Sequence, residues 1–202
     1  MIKIENVHVD NIVRAVYSAR NAMNSWSKSD SDWENDRLGV ADLALAKSLA
    51  KGGSVHAKYR RMVNVTCDIT APLYWWKEYD TYKVGTVANS CSTMHKIHAE
   101  EFTLDDFSCD HLEQGWLDVF DRIIDLLNGA REAFIETKSK RYWWQMIQLL
   151  PSSYNQMRTV QLNYEVLCSM YHDRKNHKLD EWHSFCEWIE TLPYSELITG
   201  KE

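Results

Sequence analysis

The segment Met62–Thr70, MVNVTCDIT, restricts the fold more than any other stretch of the sequence. Its apolar residues alternate strictly with polar ones, and they are Val63, Val65, Cys67 and Ile69. Because successive side chains of a strand point to opposite faces, this alternation predicts a strand with one buried and one polar face. Residues 2–9, IKIENVHV, alternate well enough to predict a second strand.

The low content of turn-forming residues predicts that helices make up most of the remaining structure. The 202 residues include three prolines and seven glycines, which is few for an all-β sandwich with many tight turns. We therefore predict an α+β, helix-rich fold in which an antiparallel sheet contains residues 2–9 and 62–70. The length fits a single domain, 1–202, with a full hydrophobic core.

Apolar residues at three- and four-residue spacing predict the helices. The predicted helical segments are 11–26, 42–51, 72–80, 110–127, 138–150, 152–175 and 179–192. Pro72 is expected in the first turn of its helix, where proline is tolerated. Asp110 and Glu113 are expected to form a capping box.

Charge and cysteine content exclude several classes of protein. A net charge of −6 gives no general attraction to phosphate backbones, so we expect no nucleic-acid polymer as partner. The chain has no apolar run of membrane-spanning length and no signal-peptide core near its start, which predicts a cytoplasmic protein without a membrane partner. Its five cysteines are widely spaced, never in a C-x-x-C pair, and are expected to be reduced.

Motifs for metals and common cofactors are missing from the sequence. The histidine pairs His95 with His98 and His172 with His177 lack a thiol or carboxylate at zinc spacing, so no metal site is expected. Neither a G-x-G-x-x-G fingerprint, a phosphate-binding P-loop nor a G-x-S-x-G elbow occurs.

A polar segment, Thr81–His95 (TYKVGTVANSCSTMH), directly follows the very aromatic segment APLYWWKEYD. The aromatic helix must be buried, and buried hydroxyl or amide groups cost about 1–3 kcal/mol each when unpaired. We therefore expect this segment to line a ligand pocket. Two alternatives stay open: residues 81–83 as a frayed helix end, and residues 89–93 as a helix cap and turn.

The order of these segments resembles the flavin-dependent thymidylate synthases, the ThyX family. In that family a strand ending in Ala-Pro and a following helix lead into the signature R-H-R-x-x-S-x-x-x-x-S. Counted from Ala71-Pro72, the signature falls on Thr81, Tyr82, Lys83, Thr86 and Cys91. Lys83 keeps one charge as a point donor, whereas Thr81 supplies none.

Other stretches are similar to further parts of the same family. DLALAKSLAKGGSVH resembles its helix-glycine-histidine lead-in, with His56 at the first histidine of H-E-x-x-x-E-H. LPSSYNQMRTVQLNYEVLCSMYHDRK resembles the helix that ends in Leu-Arg and places Arg174 at the nucleotide-contacting arginine. The sequence type, with APLYWWKEYDTYKVGTVANS, also resembles proteins of phages and prophages.

The resemblance implies a homotetramer that uses FAD, NADPH and methylenetetrahydrofolate to convert dUMP to dTMP, or a variant reaction on a pyrimidine deoxynucleotide. The implied cofactor-binding residues are His56, Thr81, Tyr82, Lys83 and Asn89. The implied substrate-binding residues are Thr86, Cys91, Ser92, Arg158 and Arg174. No catalytic residue is assigned, because the family chemistry needs no protein nucleophile.

Two other functions remain compatible with the sequence. The exchange of signature residues at Thr81 and Tyr82 favours a non-catalytic nucleotide-binding or structural oligomer that kept the fold. The third option is a helical interaction protein unrelated to ThyX, whose similarity to that family is confined to the order of the segments. The aromatic content predicts an oligomeric interface that buries several of Trp75, Trp76, Trp143 and Trp144.

Overall fold

The computed structural model describes residues 2–201. Its strands form one antiparallel sheet in the order β1-β2-β4-β3. The strands are β1 (Lys3–Asp10), β2 (Asn64–Pro72), β3 (Val87–Ser90) and β4 (Asn155–Asn163). The predicted α+β architecture is confirmed, and both predicted strands belong to the sheet.

Helices connect and flank these strands. They are α1 (Ile12–Ser18), α2 (Val40–Lys51), α3 (Leu73–Tyr79), α4 (Thr93–Lys96), α5 (Gln114–Thr137), α6 (Lys140–Leu149), α7 (Tyr164–Arg174), α8 (Asp180–Glu190) and α9 (Glu196–Thr199). Short 3₁₀-helices occupy Ala19–Met23, Trp26–Lys28, Lys58–Met62 and Leu104–Asp106. No helix among residues 2–201 has both the length and the apolar character that crossing a membrane requires.

The predicted helix over residues 152–175 is wrong in its first half. Residues 155–163 form strand β4, in which Gln156, Val160 and Leu162 are buried at even spacing. The helix starts only after Asn163, whose side-chain oxygen accepts a hydrogen bond from the amide of Val166 at 3.0 Å. This side-chain cap satisfies one of the unpaired amides at the start of α7 and fixes where the strand ends.

Two predicted helix starts also differ from the structure. Pro72 is the last residue of β2 and does not belong to the first turn of α3. The backbone pairing with the segment before β4 continues past it through the amides of Leu73 and Tyr74, which donate to the carbonyl oxygens of Tyr154 and Ser152. The predicted capping box at Asp110 and Glu113 is not formed, since α5 begins at Gln114 and its N-cap, Glu113, makes no side-chain cap.

Contacts along the chain group the residues into two compact units. Unit I comprises residues 2–3, 69–79 and 89–158, and unit II comprises residues 4–68, 80–88 and 159–201. The boundaries between the units fall inside all four strands and at the end of α3.

The core of unit I is aromatic. One cluster of buried side chains joins α5 and α6 to the segment before them, and consists of Ile97, Phe102, Phe107, Phe120, Ile124, Leu127 and Met146. Trp75 and Trp76 of α3 are also fully buried within this chain. These two tryptophans therefore belong to the core of the chain, contrary to the prediction that placed them in an oligomeric interface.

Unit II packs α7 against α8, α9 and the 3₁₀-helix Lys58–Met62. Its core contains a buried ion pair between Arg20 and Asp42. Two serines also donate to the Asp42 carboxylate, Ser29 at 2.6 Å and Ser31 at 2.5 Å. Arg20 is thus a structural residue that anchors α2.

Candidate functional site

Tyr82 and Arg174 form the best-defined contact among the candidate residues. Arg174 Nε donates a 2.9 Å hydrogen bond to Tyr82 Oη, and this hydroxyl lies 3.3 Å from Asp173 Oδ2, to which it donates. The Arg174 guanidinium also lies 5.4 Å from the centroid of the Tyr82 ring and 5.0 Å from that of Trp182. The end of α7 therefore holds a cation between two aromatic rings.

The phenol of Tyr82 keeps its proton in this environment. Partial burial raises the pKa of Tyr82 above its ordinary value, and this effect outweighs the lowering by the hydrogen bond and charge of Arg174. Tyr82 is thus a neutral hydrogen-bonding group at neutral pH.

The loop after Tyr82 is closed by its own side chains. Thr86 Oγ1 donates to the Tyr82 carbonyl oxygen at 2.5 Å. Gly85, between them, has a φ of +80°, and a Cβ there would lie 2.6 Å from Asn163 Nδ2. The turn therefore requires glycine, because a side chain would collide with the residue that caps α7.

The remaining candidates of unit II lie at the surface. Thr81, Lys83 and His56 are exposed. The imidazole of His56 is close to the end of α2, where it lies 3.1 Å from the position that a Cβ on Gly52 would take. Lys83 and His56 make no side-chain hydrogen bond or ion pair with another candidate within residues 2–201.

In unit I, Arg158 and Cys91 are linked through Gln156. Arg158 Nε donates to Gln156 Oε1 at 3.0 Å, and Gln156 Nε2 donates to the Cys91 carbonyl oxygen at 2.8 Å. The Arg158 guanidinium lies 4.2 Å from the centroid of the Trp76 ring, a close cation–π contact. Gln156 is buried, so this network fixes the chain that follows β3.

Ser92, Cys91 and Asn89 have different environments. Ser92 Oγ accepts from the amide of His95 at 3.2 Å and caps α4, which is the helix-cap alternative considered from the sequence. Cys91 and Ser92 line a small cleft of about 220 Å³ together with Lys96. Asn89 lies on β3, an edge strand whose four residues are all exposed.

The polar segment Thr81–His95 is therefore mostly a surface feature. Of the whole segment, only Tyr82, Thr86 and Thr93 are half-buried, and the other residues are exposed. Parts of it still line small clefts: Cys91, Ser92 and Thr93 line the cleft of about 220 Å³, and Gly85, Thr86 and Val87 line another of about 230 Å³. The expected burial of the whole segment is not found, because α3 ends at Tyr79 and the backbone then leaves the core. Within the described residues, no group of three or more metal-ligating side chains is present.

Sequence reasoning missed several residues that position these candidates. Trp182 and Asp173 hold Arg174 and Tyr82, while Gln156 and Trp76 hold Arg158. The sequence signal for these residues was the aromatic character of α3 and α8. It indicated that the rings are buried, but it did not indicate which cation contacts each ring.

The fold is similar to that of two proteins with solved structures. Flavin-dependent thymidylate synthase ThyX from Helicobacter pylori, complexed with FAD and dUMP, aligns with a TM-score of 0.72 and 16% sequence identity over 97% of this chain and 99% of that chain. The UMP/dUMP methylase PolB from Streptomyces cacaoi, bound with 5-Br dUMP, aligns with a TM-score of 0.67 and 14% identity over 99% and 95% of the two chains.

These similarities establish a ThyX-like fold for the chain, as predicted from the segment order. They contradict the alternative that the likeness to ThyX is confined to segment order. No protein-family model matches the sequence, and no curated protein matches it.

Proposed function

We propose that the chain is a ThyX-like flavoprotein that acts on a pyrimidine deoxynucleotide, by methylating dUMP to dTMP or by a variant of that reaction. The contact of Arg174 with Tyr82 and Trp182 carries this proposal. It places an ordered cation at the end of α7, in a fold whose relatives include structures containing dUMP and 5-Br dUMP.

Arg174 suits a phosphate group for two physical reasons. A guanidinium carries a permanent charge and forked donors that match phosphate oxygens. The two rings and the hydrogen bond to Tyr82 restrict its side chain before a ligand arrives, so less entropy is lost on binding. We assign Arg174 to the nucleotide phosphate, with Arg158, Thr86, Cys91 and Ser92 as further candidate substrate contacts.

The proposed FAD-binding residues are His56, Thr81, Tyr82, Lys83 and Asn89. Exposed hydroxyl, amide and ammonium groups at Thr81, Asn89 and Lys83 fit the carbonyls and phosphates of a flavin. When bound, FAD would supply the hydride that reduces the methylene group donated by methylenetetrahydrofolate, with NADPH as the reductant. The role of this chain's residues is to bind and orient these molecules, and no protein nucleophile is required.

The exposure of β3 supports a site shared between copies of the chain. Asn89 and its neighbours face water when one chain is considered, whereas hydride transfer needs a site from which water is excluded. We therefore include a homotetramer in the proposal, formed by single ThyX-like domains, 1–202, in the cytoplasm. The alignment of 97% of this chain with 99% of a ThyX chain supports the single domain.

A second candidate function is a non-catalytic nucleotide-binding or structural oligomer with the same fold. It is favoured by three hydroxyl groups that already have partners within the chain. Tyr82 donates to Asp173, Thr86 donates to the Tyr82 carbonyl, and Ser92 caps α4. A ligand at these groups would have to share or replace those hydrogen bonds.

Spectroscopy and calorimetry separate the two candidates. The absorbance spectrum of the purified protein is recorded before and after adding FAD and removing the excess, with and without dUMP. A retained flavin band that NADPH bleaches anaerobically supports the flavoprotein. Binding of dUMP without retained flavin supports the non-catalytic alternative, and absence of both contradicts any nucleotide function.

A further inference from the structure

A cleft of about 520 Å³ in unit II has no role in the function proposed above. It is formed by the end of α2, the following turn, the 3₁₀-helix before β2, α7, and residues 196–201. None of its lining residues is among the candidates derived from the sequence. Its volume is typical of sites for small organic molecules.

Two buried polar groups in this cleft lack hydrogen-bond partners. The side chain of Arg60 is 7% exposed, and its Nε has no hydrogen-bond partner within residues 2–201. The Glu165 side chain is 18% exposed, but its Oε2 atom is buried and accepts no hydrogen bond within residues 2–201. The two side chains face each other as an ion pair, with Arg60 Nη1 3.8 Å from Glu165 Oε2, too far for a direct hydrogen bond.

Buried polar groups in folded proteins are almost always paired with protein, water or ligand. At this cleft the missing partners are one acceptor, for Arg60 Nε, and one donor, for Glu165 Oε2. Because the two opposite charges lie side by side, each largely cancels the attraction that a charged ligand would gain from the other, while a charged ligand would still lose its own hydration. A neutral group that presents an acceptor beside a donor fits both.

The wall of the cleft indicates what the remainder of the ligand, beyond its polar edge, should be. Ala50 and Ile198 line it, and its accessible surface is mainly apolar. We propose that this cleft is a second small-molecule site, which binds a neutral, flat, apolar ring carrying a primary amide or lactam edge. The carbonyl accepts from Arg60 Nε and the amide N–H donates to Glu165 Oε2.

Benzamide is the simplest probe of this chemistry, and saturation-transfer NMR measures its binding. Benzoate, which adds a negative charge, and N,N-dimethylbenzamide, which lacks the donor, are the matched ligands. We expect benzamide to bind with a Kd on the order of 1 mM and the two analogues to bind at least tenfold more weakly. Equal signals from all three would overturn the proposed recognition.

Ala50→Leu tests the location of the site. It extends a side chain into the cleft on a helix that tolerates leucine, and it should abolish the benzamide signal. Val40→Leu is the control, because Val40 lies on the same helix and is 85% exposed. An unchanged signal in Ala50→Leu would place the binding elsewhere.

Glu165→Gln tests the polar edge. The glutamine amide can donate to a carboxylate, so this variant should bind benzoate better than the parent protein does and lose the preference for benzamide. If Glu165→Gln still prefers benzamide over benzoate to the same extent, Glu165 does not take part in ligand recognition.

Cys168 provides an independent readout. It lines the cleft, and its Sγ lies 3.5 Å from Arg60 Nη1. Bound benzamide should slow alkylation of Cys168, measured by peptide mass spectrometry, and leave alkylation of the exposed Cys91 in unit I unchanged. Lack of both protection and saturation transfer would mean that the cleft holds only water.

The same measurements with saturating FAD or dUMP separate this site from the proposed function. Benzamide should bind unchanged, because the cleft shares no lining residue with the candidates for those ligands. Competition by either ligand would overturn the proposal of a second site and assign the cleft to the first.

Discussion

Arg20 Nε donates a 2.6 Å hydrogen bond to Asp42 Oδ1 in the core of unit II, where the two side chains are 5% and 0% exposed. Removing one member of such a pair leaves the other charge buried without compensation. We expect Asp42→Asn to lower the free energy of unfolding by about 3–5 kcal/mol, measured by urea denaturation. Ser29→Ala, which removes one neutral donor to the same carboxylate, should cost only about 1 kcal/mol. Equal losses would show that the charge pairing is unimportant.

The same carboxylate should make stability depend on acid pH. Burial alone would raise the pKa of Asp42, but hydrogen bonds from Ser29 and Ser31, with that from Arg20, hold it below its ordinary value of 3.8. The unfolded state therefore takes up the proton first as the pH falls. The contribution of Asp42 should be complete above about pH 5 and be lost progressively below pH 4. Unfolding curves between pH 2.5 and 7 should show that the free energy of unfolding falls less steeply with acid in Asp42→Asn than in the parent protein. Parallel pH profiles of the two proteins would contradict this.

Gly85 and Gly53 form a matched pair for testing the turn after Tyr82. Both have positive φ, +80° and +82°, but a Cβ on Gly85 would lie 2.6 Å from Asn163 Nδ2, whereas one on Gly53 meets nothing within 4 Å. Alanine at either position has the strain of a positive φ, but only in Gly85→Ala does the added Cβ also collide with Asn163. We expect Gly85→Ala to be more destabilising by about 1–3 kcal/mol, measured by thermal or urea unfolding. Equal effects would mean that the cap of α7 moves aside freely.

Arg174→Ala should weaken dUMP binding by about tenfold to a hundredfold, because a charge-assisted hydrogen bond contributes about 1.5–3 kcal/mol. Lys83→Ala should weaken binding of dUMP or FAD for the same reason. Isothermal titration calorimetry measures both. Arg122→Ala removes an exposed arginine from α5 and is the control for net charge. If Arg174→Ala binds like Arg122→Ala, Arg174 serves only to pack α7.

The exposed face of α5 should be part of an oligomeric interface. Trp116, Val119 and Leu126 recur at helical spacing and are 65%, 52% and 63% exposed, although Phe120 and Leu127 of the same helix are buried. An apolar stripe of this kind is uncommon on a monomer. Light scattering should give a mass above the 23.7 kDa of one chain, and Trp116→Glu should lower it. Gln114→Glu adds the same charge outside this stripe and should not lower the mass. If the parent protein has the mass of one chain, the proposed assembly is refuted.

Strands β1 and β2 and the existence of the long helices were predictable because their apolar repeats are unambiguous, although α5 continues to Thr137, ten residues beyond its predicted end at residue 127. Val63 to Ile69 alternate over a whole strand, and Phe120, Ile124 and Leu127 repeat at one helical spacing. Strand β4 was missed because Val160 and Tyr164 are four residues apart, a spacing that fits both a strand and a helix. The change from one to the other occurs at Asn163, whose capping role was not considered.

The candidate site was predicted less well, for a related reason. The pairing of Tyr82 with Arg174 joins residues 92 positions apart, and only the family resemblance suggested both. Burial of the polar segment was inferred from the aromatic residues before it. The buried residues Trp75, Trp76 and Tyr79 all belong to α3, which ends at Tyr79. Nothing in the residues after Tyr79 requires burial, so the chain emerges at the surface.

Strands β2 and β4 pass into helices α3 and α7 without a connecting residue: Pro72 is followed by the first residue of α3, and Asn163 is both the end of β4 and the cap of α7. An inserted residue at either junction would rotate the helix about its axis by about 100° and separate the cap from the amide that it satisfies. Natural variation in chain length and engineered tags are therefore restricted to other places, such as the exposed turn at Gly53.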